Sequence, residues 1–131
     1  MKLHVDRTAA NTVTAWGEGE IRVREQVIRN SVILTAEHII HPWSGRHADT
    51  LDSDDMAPVL ALEPNIIVLG TGQHLSFPDP ALYADILARG IGLEVMDTPA
   101  ACRTYNILVH EGRSVAAALM IDEALDPATA R

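Results

Sequence analysis

Cysteine, aromatic residues, basic residues and long apolar runs are all scarce in this chain. Cys102 is the single cysteine, which excludes a disulfide within the chain and a cluster of thiolate metal ligands. Lysine and arginine number 10 against 18 acidic residues, so the formal charge of −8 argues against nucleic acid as a partner. No apolar run is long enough to span a bilayer, and the first residues lack the apolar segment of a signal peptide. We expect a cytoplasmic protein without membrane insertion.

What the chain does have is enough apolar surface for one core. Its 131 residues match the size of one ordinary domain, and 47% of them are hydrophobic while 21% are charged. Burial of that much apolar surface offsets the entropy lost when the backbone is ordered. The sequence therefore predicts a single domain over residues 1–131.

The first half of the chain has the residue pattern of short strands. Residues 12–16, 20–24 and 31–35 are β-branched and apolar runs separated by glycine and asparagine, a pattern that predicts an antiparallel meander. Residues 44–57 are polar, rich in aspartate and without a clear period, which predicts a loop. A short helical turn is expected around residues 56–62.

The second half predicts alternating strands and helices. Residues 66–69 are apolar at every position, as in a strand that is covered on both faces. Asp79 is expected to cap a helix that begins at Pro80 and ends at Gly90. Its predicted buried stripe consists of Leu82, Tyr83, Ile86 and Leu87.

A second strand and helix follow, and then a last strand. Leu93 and Val95 belong to the strand, and Thr98 is expected to cap a helix that begins at Pro99 and stops at Gly112. Residues 115–120 form the last strand. This β-α-β-α-β order predicts an α/β fold in which the strands share one sheet, with helices against it and the N-terminal meander extending or covering it.

The candidate site follows from this topology, because loops at the carboxyl ends of such strands converge with helix N-termini. Two segments leave the sheet at that edge, and we expect them to form one cleft suited to an anion or carboxylate. The predicted binding residues are Gly70, Thr71 and Gly72 in the first segment, and Thr98, Cys102, Arg103 and Asn106 in the second.

Each candidate also has a purely structural interpretation. The glycines of residues 70–72 fit a tight turn better than a nucleotide loop, because a third glycine is absent at position 75 and the next helix begins too far away. Cys102 is either a thiolate activated by the helix N-terminus and Arg103, with help from His74, or a small apolar residue packed under the helix. Arg103 either binds an anion or forms an ion pair.

Metal and cofactor sites are not expected. His38, His41, His47 and Asp49 lie close in sequence, but on a strand positions 38 and 41 face opposite sides of the sheet. The aspartates around residue 54 lack the glycine and the downstream glutamate of a calcium-binding loop.

Two motifs, Gly70-Thr71-Gly72 and Ala101-Cys102-Arg103-Thr104-Tyr105-Asn106, resemble the family typified by the mitochondrial complex I assembly factor three. The similarity spans residues 64–72, 90–98, 101–108 and 111–119, and more loosely residues 17–23, 31–35 and Trp43. The resemblance implies a three-layer α/β domain with a mixed sheet and an additional β segment. In mitochondria such proteins assist assembly of the respiratory NADH dehydrogenase. The absence of a transit-peptide-like leader favours a bacterial cytoplasmic member.

Two hypotheses about function stay open. The favoured one is a non-catalytic binding or assembly module that holds a protein partner or a small anion at the predicted cleft. The alternative is a small enzyme, with Cys102 as nucleophile or with an anionic metabolite as substrate. Self-association through an open sheet edge is compatible with both.

Overall fold

The computed structural model describes residues 10–122. Within that range the chain forms eight strands and three helices. In chain order they are β1 (Val13–Gly17), β2 (Glu20–Val23), β3 (Gln26–Ile28), β4 (Val32–Leu34), β5 (Ile39–Ile40), α1 (Ser53–Leu60), β6 (Ile66–Thr71), α2 (Pro80–Ala88), β7 (Gly92–Met96), α3 (Thr98–His110) and β8 (Val115–Met120).

The strands form two sheets. A small antiparallel sheet has the order β1-β2-β3, and a larger mixed sheet has the order β5-β4-β8-β6-β7. In the larger sheet β6 runs parallel to β7 and β8, whereas β4 runs antiparallel to β5 and β8. The predicted α/β fold, with an N-terminal meander and a β-α-β-α-β second half, is confirmed.

Both faces of the larger sheet are covered, because successive side chains of a strand point to opposite faces. On β6, Ile67 and Leu69 pack with α1 and α2. Val68, between them, packs with Ala101 and Tyr105 of α3. The small sheet packs on this second side, where its Ile21 joins the same cluster. The N-terminal meander therefore covers α3 and does not extend the larger sheet.

The third strand of the meander is not where the sequence predicted it. Gln26–Ile28 pairs with β2, and Arg24 allows the tight reversal between them with a φ of 57°. The predicted third strand, residues 31–35, instead contains β4, which pairs with β8. Its three residues are fully buried, as befits a strand inside the larger sheet rather than at a wet surface.

The prediction of a loop over residues 44–57 is wrong for its last part. Helix α1 begins at Ser53, because the Asp52 carboxylate accepts a hydrogen bond from the Asp55 N–H. The Asp55 carboxylate in turn accepts one from the Asp52 N–H, which completes a capping box. These two aspartates are thus the start signal of a helix. A 3-10 turn, Ala48–Thr50, precedes them.

Helix α2 follows its sequence signals, with one exception. Asp79 caps it, Pro80 is its first residue, and Ile86 is buried as predicted. Leu87, in contrast, is 46% exposed, so its place in the predicted buried stripe is wrong.

No helix within residues 10–122 has both the length and the apolar character needed to cross a membrane.

Candidate functional site

Gly72, the residue after β6, and Thr98, the first residue of α3, are joined by two hydrogen bonds. The Thr98 N–H donates to the Gly72 carbonyl oxygen at 2.8 Å, and the Gly72 N–H donates to the Thr98 hydroxyl oxygen at 2.8 Å. That hydroxyl also donates to the carbonyl oxygen of Met120, at the end of β8, at 2.6 Å. We call Gly72, Thr98 and Met120 the junction. It brings together the two segments that the sequence placed at one edge.

Thr98 is not the N-cap of α3, contrary to the sequence prediction. The cap is Asp97, whose carboxylate accepts a hydrogen bond from the Ala100 N–H at 2.8 Å. A threonine cap would turn its hydroxyl toward the first turn of its own helix. In this chain Asp97 caps the helix, and the buried hydroxyl of Thr98 forms the hydrogen bonds of the junction.

The two glycines of the Gly-Thr-Gly segment are required for different reasons. A Cβ atom at Gly70 would lie 2.9 Å from the Thr98 hydroxyl and 3.0 Å from the Cβ of Ala101, so glycine allows α3 to approach β6 closely. Gly72 has a φ of 90°, a conformation that side chains disfavour. Between them, the Thr71 hydroxyl donates to the His74 carbonyl oxygen at 2.7 Å and orders the following loop.

Cys102 lies inside the core. Its side chain is fully buried on α3, between the larger sheet and the small sheet. Burial raises the pKa of the Cys102 thiol to about 12, although the nearby Arg103 guanidinium acts to lower it. The structure therefore gives this residue the apolar packing role rather than the reactive one.

Asn106 and Tyr105 attach α3 to the small sheet. The Asn106 side-chain oxygen accepts from the Val13 N–H at 2.9 Å, and its amide nitrogen donates to the Val13 carbonyl oxygen at 2.8 Å. The Tyr105 hydroxyl donates to the Asn11 carbonyl oxygen at 2.6 Å, and burial raises the pKa of Tyr105. Both contacts span more than 90 residues of sequence.

Arg103 points to the exposed side of the same helix. Its guanidinium carbon lies 5.9 Å from the centroid of the Trp16 ring, within the range of a cation–π contact. The predicted partners of Arg103 were an anion or a neighbouring carboxylate. The structure instead places it over an aromatic ring of β1.

The first turn of α3 offers no spare amide donors for an anion. The Thr98 N–H is used by Gly72, and Pro99 has no N–H. The N–H groups of Ala100 and Ala101 bond to the side chain and the carbonyl oxygen of Asp97. The helix N-terminal amides that the predicted anion cleft would use are therefore already bonded within the chain.

A groove of about 260 Å³ opens beside the junction. We call it the hairpin groove, because the β1–β2 hairpin forms one wall with residues 16–21. Residues 72–73, 98–99 and 120–122 form the other. Gly72 and Thr98 are the predicted site residues that line it, whereas Cys102, Arg103 and Asn106 do not. The predicted site did not include Trp16 and Asp122, which also line the groove. Only the tertiary fold brings the hairpin against the end of β8.

One histidine of the predicted cluster, His41, has polar neighbours at both ring nitrogens. The two ring nitrogens of His41 lie 3.0 Å from the side chains of Asn30 and Gln26. Among residues 10–122, histidine, cysteine, aspartate and glutamate side chains form no group of three or more that could hold a metal ion.

The match to a known protein family covers most of this chain. A family model with the description "Protein of unknown function (DUF498/DUF598)" matches residues 13–120. The chain belongs to this family. Its matched range includes both sheets and all three helices, and it includes the junction.

Several named proteins and solved structures are similar to this chain. Human NADH dehydrogenase [ubiquinone] 1 alpha subcomplex assembly factor 3 is 40% identical over 86 residues, which are 63% of this chain and 46% of that protein. An uncharacterized protein of Rhodobacter capsulatus is 32% identical over 110 residues, 82% of each chain. A Mth938-like domain of Bordetella pertussis, solved by NMR, is 32% identical with a TM-score of 0.77, and the match covers 94% of each chain. The chain thus spans about half the length of the assembly-factor relatives.

Proposed function

We propose that this protein is a non-catalytic module that binds a protein partner and assists assembly of the respiratory NADH dehydrogenase of its host. The name of the human relative, at 40% identity, supports this role. The proposal extends to a cytoplasmic location, as the composition predicts.

The observation that carries a binding role is the set of apolar side chains left exposed near the carboxyl edge of the sheet. Trp16, in the wall of the hairpin groove, is 37% exposed. Leu75 and Phe77, on the loop that follows Gly72, are 53% and 62% exposed. The start of that loop, Gly72 and Gln73, lines the same groove as Trp16. Exposed aromatic side chains are enriched at surfaces that bind another protein.

One form of the enzyme alternative depended on Cys102 as nucleophile, and the burial of this residue opposes it. A nucleophile must touch its substrate, and the Cys102 side chain has no exposed surface. A thiol with a pKa near 12 is also almost entirely protonated at neutral pH. The alternative of a small anionic ligand is likewise weakened, because the amides at the start of α3 are already bonded.

Complementation of a gene deletion tests the proposed function. Deleting the gene in its host should lower the amount of assembled NADH dehydrogenase on a native gel, and the wild-type gene should restore it. Cys102→Ala should restore it equally. Phe77→Asp should restore it poorly, whereas Leu87→Asp, at an exposed apolar position on α2, serves as the matched control and should behave as wild type.

Two results would contradict the proposal. Unchanged assembly in the deletion strain would remove the assembly role. Failure of a folded Cys102→Ala variant, with thermal unfolding as the check on folding, would favour catalysis.

A further inference from the structure

The charged side chains that line the hairpin groove are all acidic among the residues the structure describes. Glu18 and Glu20 lie on the hairpin side, and Asp122 lies on the side of β8. No lysine, arginine or histidine is part of this described lining. A groove with walls of one sign concentrates the opposite charge from solution.

The local partners of these carboxylates do not cancel that field. Glu20 has an ion pair with Arg29 at 3.5 Å, but both side chains are solvent-exposed and such pairs are weak. The Asp122 carboxylate accepts a hydrogen bond from the Gln73 N–H at 2.9 Å, which is an uncharged donor. Glu18 is exposed at the tip of the hairpin.

The aromatic wall of the groove is suited to an apolar side chain. The guanidinium of Arg103 lies 5.9 Å from the centroid of Trp16, so this chain already supplies the cation at that ring. Trp16 keeps 37% of its surface exposed despite this contact.

The size of the groove limits what it can hold. Its volume of about 260 Å³ is below the ~300–1,000 Å³ typical of pockets for drug-sized ligands and cofactors. One long side chain with part of its backbone is a better match than a nucleotide or a folded element.

We propose that the hairpin groove binds a segment of a protein partner that inserts an arginine or lysine side chain between Glu18 and Asp122, with an apolar neighbour against Trp16. This inference rests on the proposed function and gives it a site and a partner chemistry. It reverses the sign of the ligand that the sequence predicted, because the fold uses up the helix amides and adds carboxylates from distant segments.

The test uses two blocked pentapeptides with leucine on both sides of a central residue, which is arginine in one and glutamate in the other. Each is titrated into ¹⁵N-labelled protein and followed by NMR. The arginine peptide should give saturable shifts at the Trp16 indole and at the amides of residues 17–19 and 72–73. The glutamate peptide should give none. Added salt should weaken the binding, since exposed charges are screened.

A pair of charge reversals supplies the control. Glu18→Lys should weaken binding of the arginine peptide by about fivefold, the order expected for a charge at the rim of an interface. Asp85→Lys makes the same charge change on the exposed side of α2 and should leave binding within about twofold of wild type. Amide signals of both variants that match those of the wild type away from the substituted residue, in ¹H–¹⁵N spectra, would show that both variants fold.

Several outcomes would overturn the proposal. They are equal binding of the two peptides, shifts that map away from the groove, shifts at the groove caused by inorganic phosphate, and concentration-dependent shifts there without peptide, which would indicate a second copy as occupant. Failure of this test with intact complementation by Glu18→Lys would remove the groove and leave the assembly role. Unchanged assembly in the deletion strain, with the arginine peptide still bound, would remove the assembly role and leave the groove as a binding site.

Discussion

Helices α2 and α3 begin with the same local signals and end up in different surroundings. Each has an aspartate N-cap and a proline in its first turn. At α2 the cap, Asp79, accepts a hydrogen bond from Ala81 and the helix start stays exposed. At α3 the residue after the cap is Thr98, which bonds to β6 and β8.

This difference teaches that capping chemistry and site formation are separate properties of a helix start. An aspartate and a proline suffice to begin a helix in either place. Core packing holds the length of α3 against the sheet. At its start, the buried hydroxyl of Thr98 and the missing side chain at Gly70 allow the helix to lie close to β6, and this contact builds one wall of the hairpin groove.

The largest effect should come from Thr98→Val. Removing the hydroxyl leaves the Gly72 N–H and the Met120 carbonyl oxygen buried without their partner, which should lower the free energy of unfolding by about 2–4 kcal/mol. Urea denaturation measures this. Thr98→Ser keeps the hydroxyl and should lose about 1 kcal/mol or less, mainly for the missing methyl group. Equal losses in the two variants would show that packing, not hydrogen bonding, holds the junction.

Alkaline pH should weaken α3 packing through Cys102, which has no counterpart on α2. Its folded pKa of about 12 lies above the unfolded value of 9.0, so its contribution is complete below pH 9 and is lost as pH rises toward 12. The expected loss in the free energy of unfolding between pH 7 and pH 10 is about 1 kcal/mol.

The measurement compares wild type with Cys102→Ala by urea denaturation at both pH values. The stability difference between the two proteins should shrink at pH 10, because the variant has no thiol to titrate. A difference that stays constant would mean that the thiol is accessible enough to ionise normally in the folded protein.

The smallest effect should come from breaking the start of α2. Asp79→Ala removes an exposed N-cap and should lower the free energy of unfolding by about 1 kcal/mol. Thermal unfolding measures it, with Asp85→Ala, further along the same helix, as the control for loss of one negative charge. A loss as large as that of Thr98→Val would erase the distinction between the two helix starts.

Local signals in the sequence predict much of this fold. The apolar run of β6, the Asp79–Pro80 start of α2 and the stop of α3 at Gly112 depend on neighbours within a few residues, so pattern and capping rules reach them. The errors have tertiary causes. Residues 31–35 were assigned to the meander, because nothing local shows that β4 pairs with β8 across the chain.

The candidate site was less accessible to sequence reasoning. Topology predicted that Gly72 and Thr98 would approach each other, since both follow strands that end at the same edge. The roles of Tyr105 and Asn106 depend on Asn11 and Val13, more than 90 residues away. The groove needs Glu18 and Asp122 from opposite ends of the chain, so its acidic character could not be read from either segment alone.

Hydrogen exchange at the Gly72 amide tests the central claim most directly, because that N–H donates to the Thr98 hydroxyl across the junction. We predict slow exchange in the wild type and in Asp79→Ala, and exchange faster by at least about tenfold in Thr98→Val under native conditions. Exchange of the wild-type Gly72 amide at the rate of an unstructured peptide would show that the end of β6 and the start of α3 are not joined.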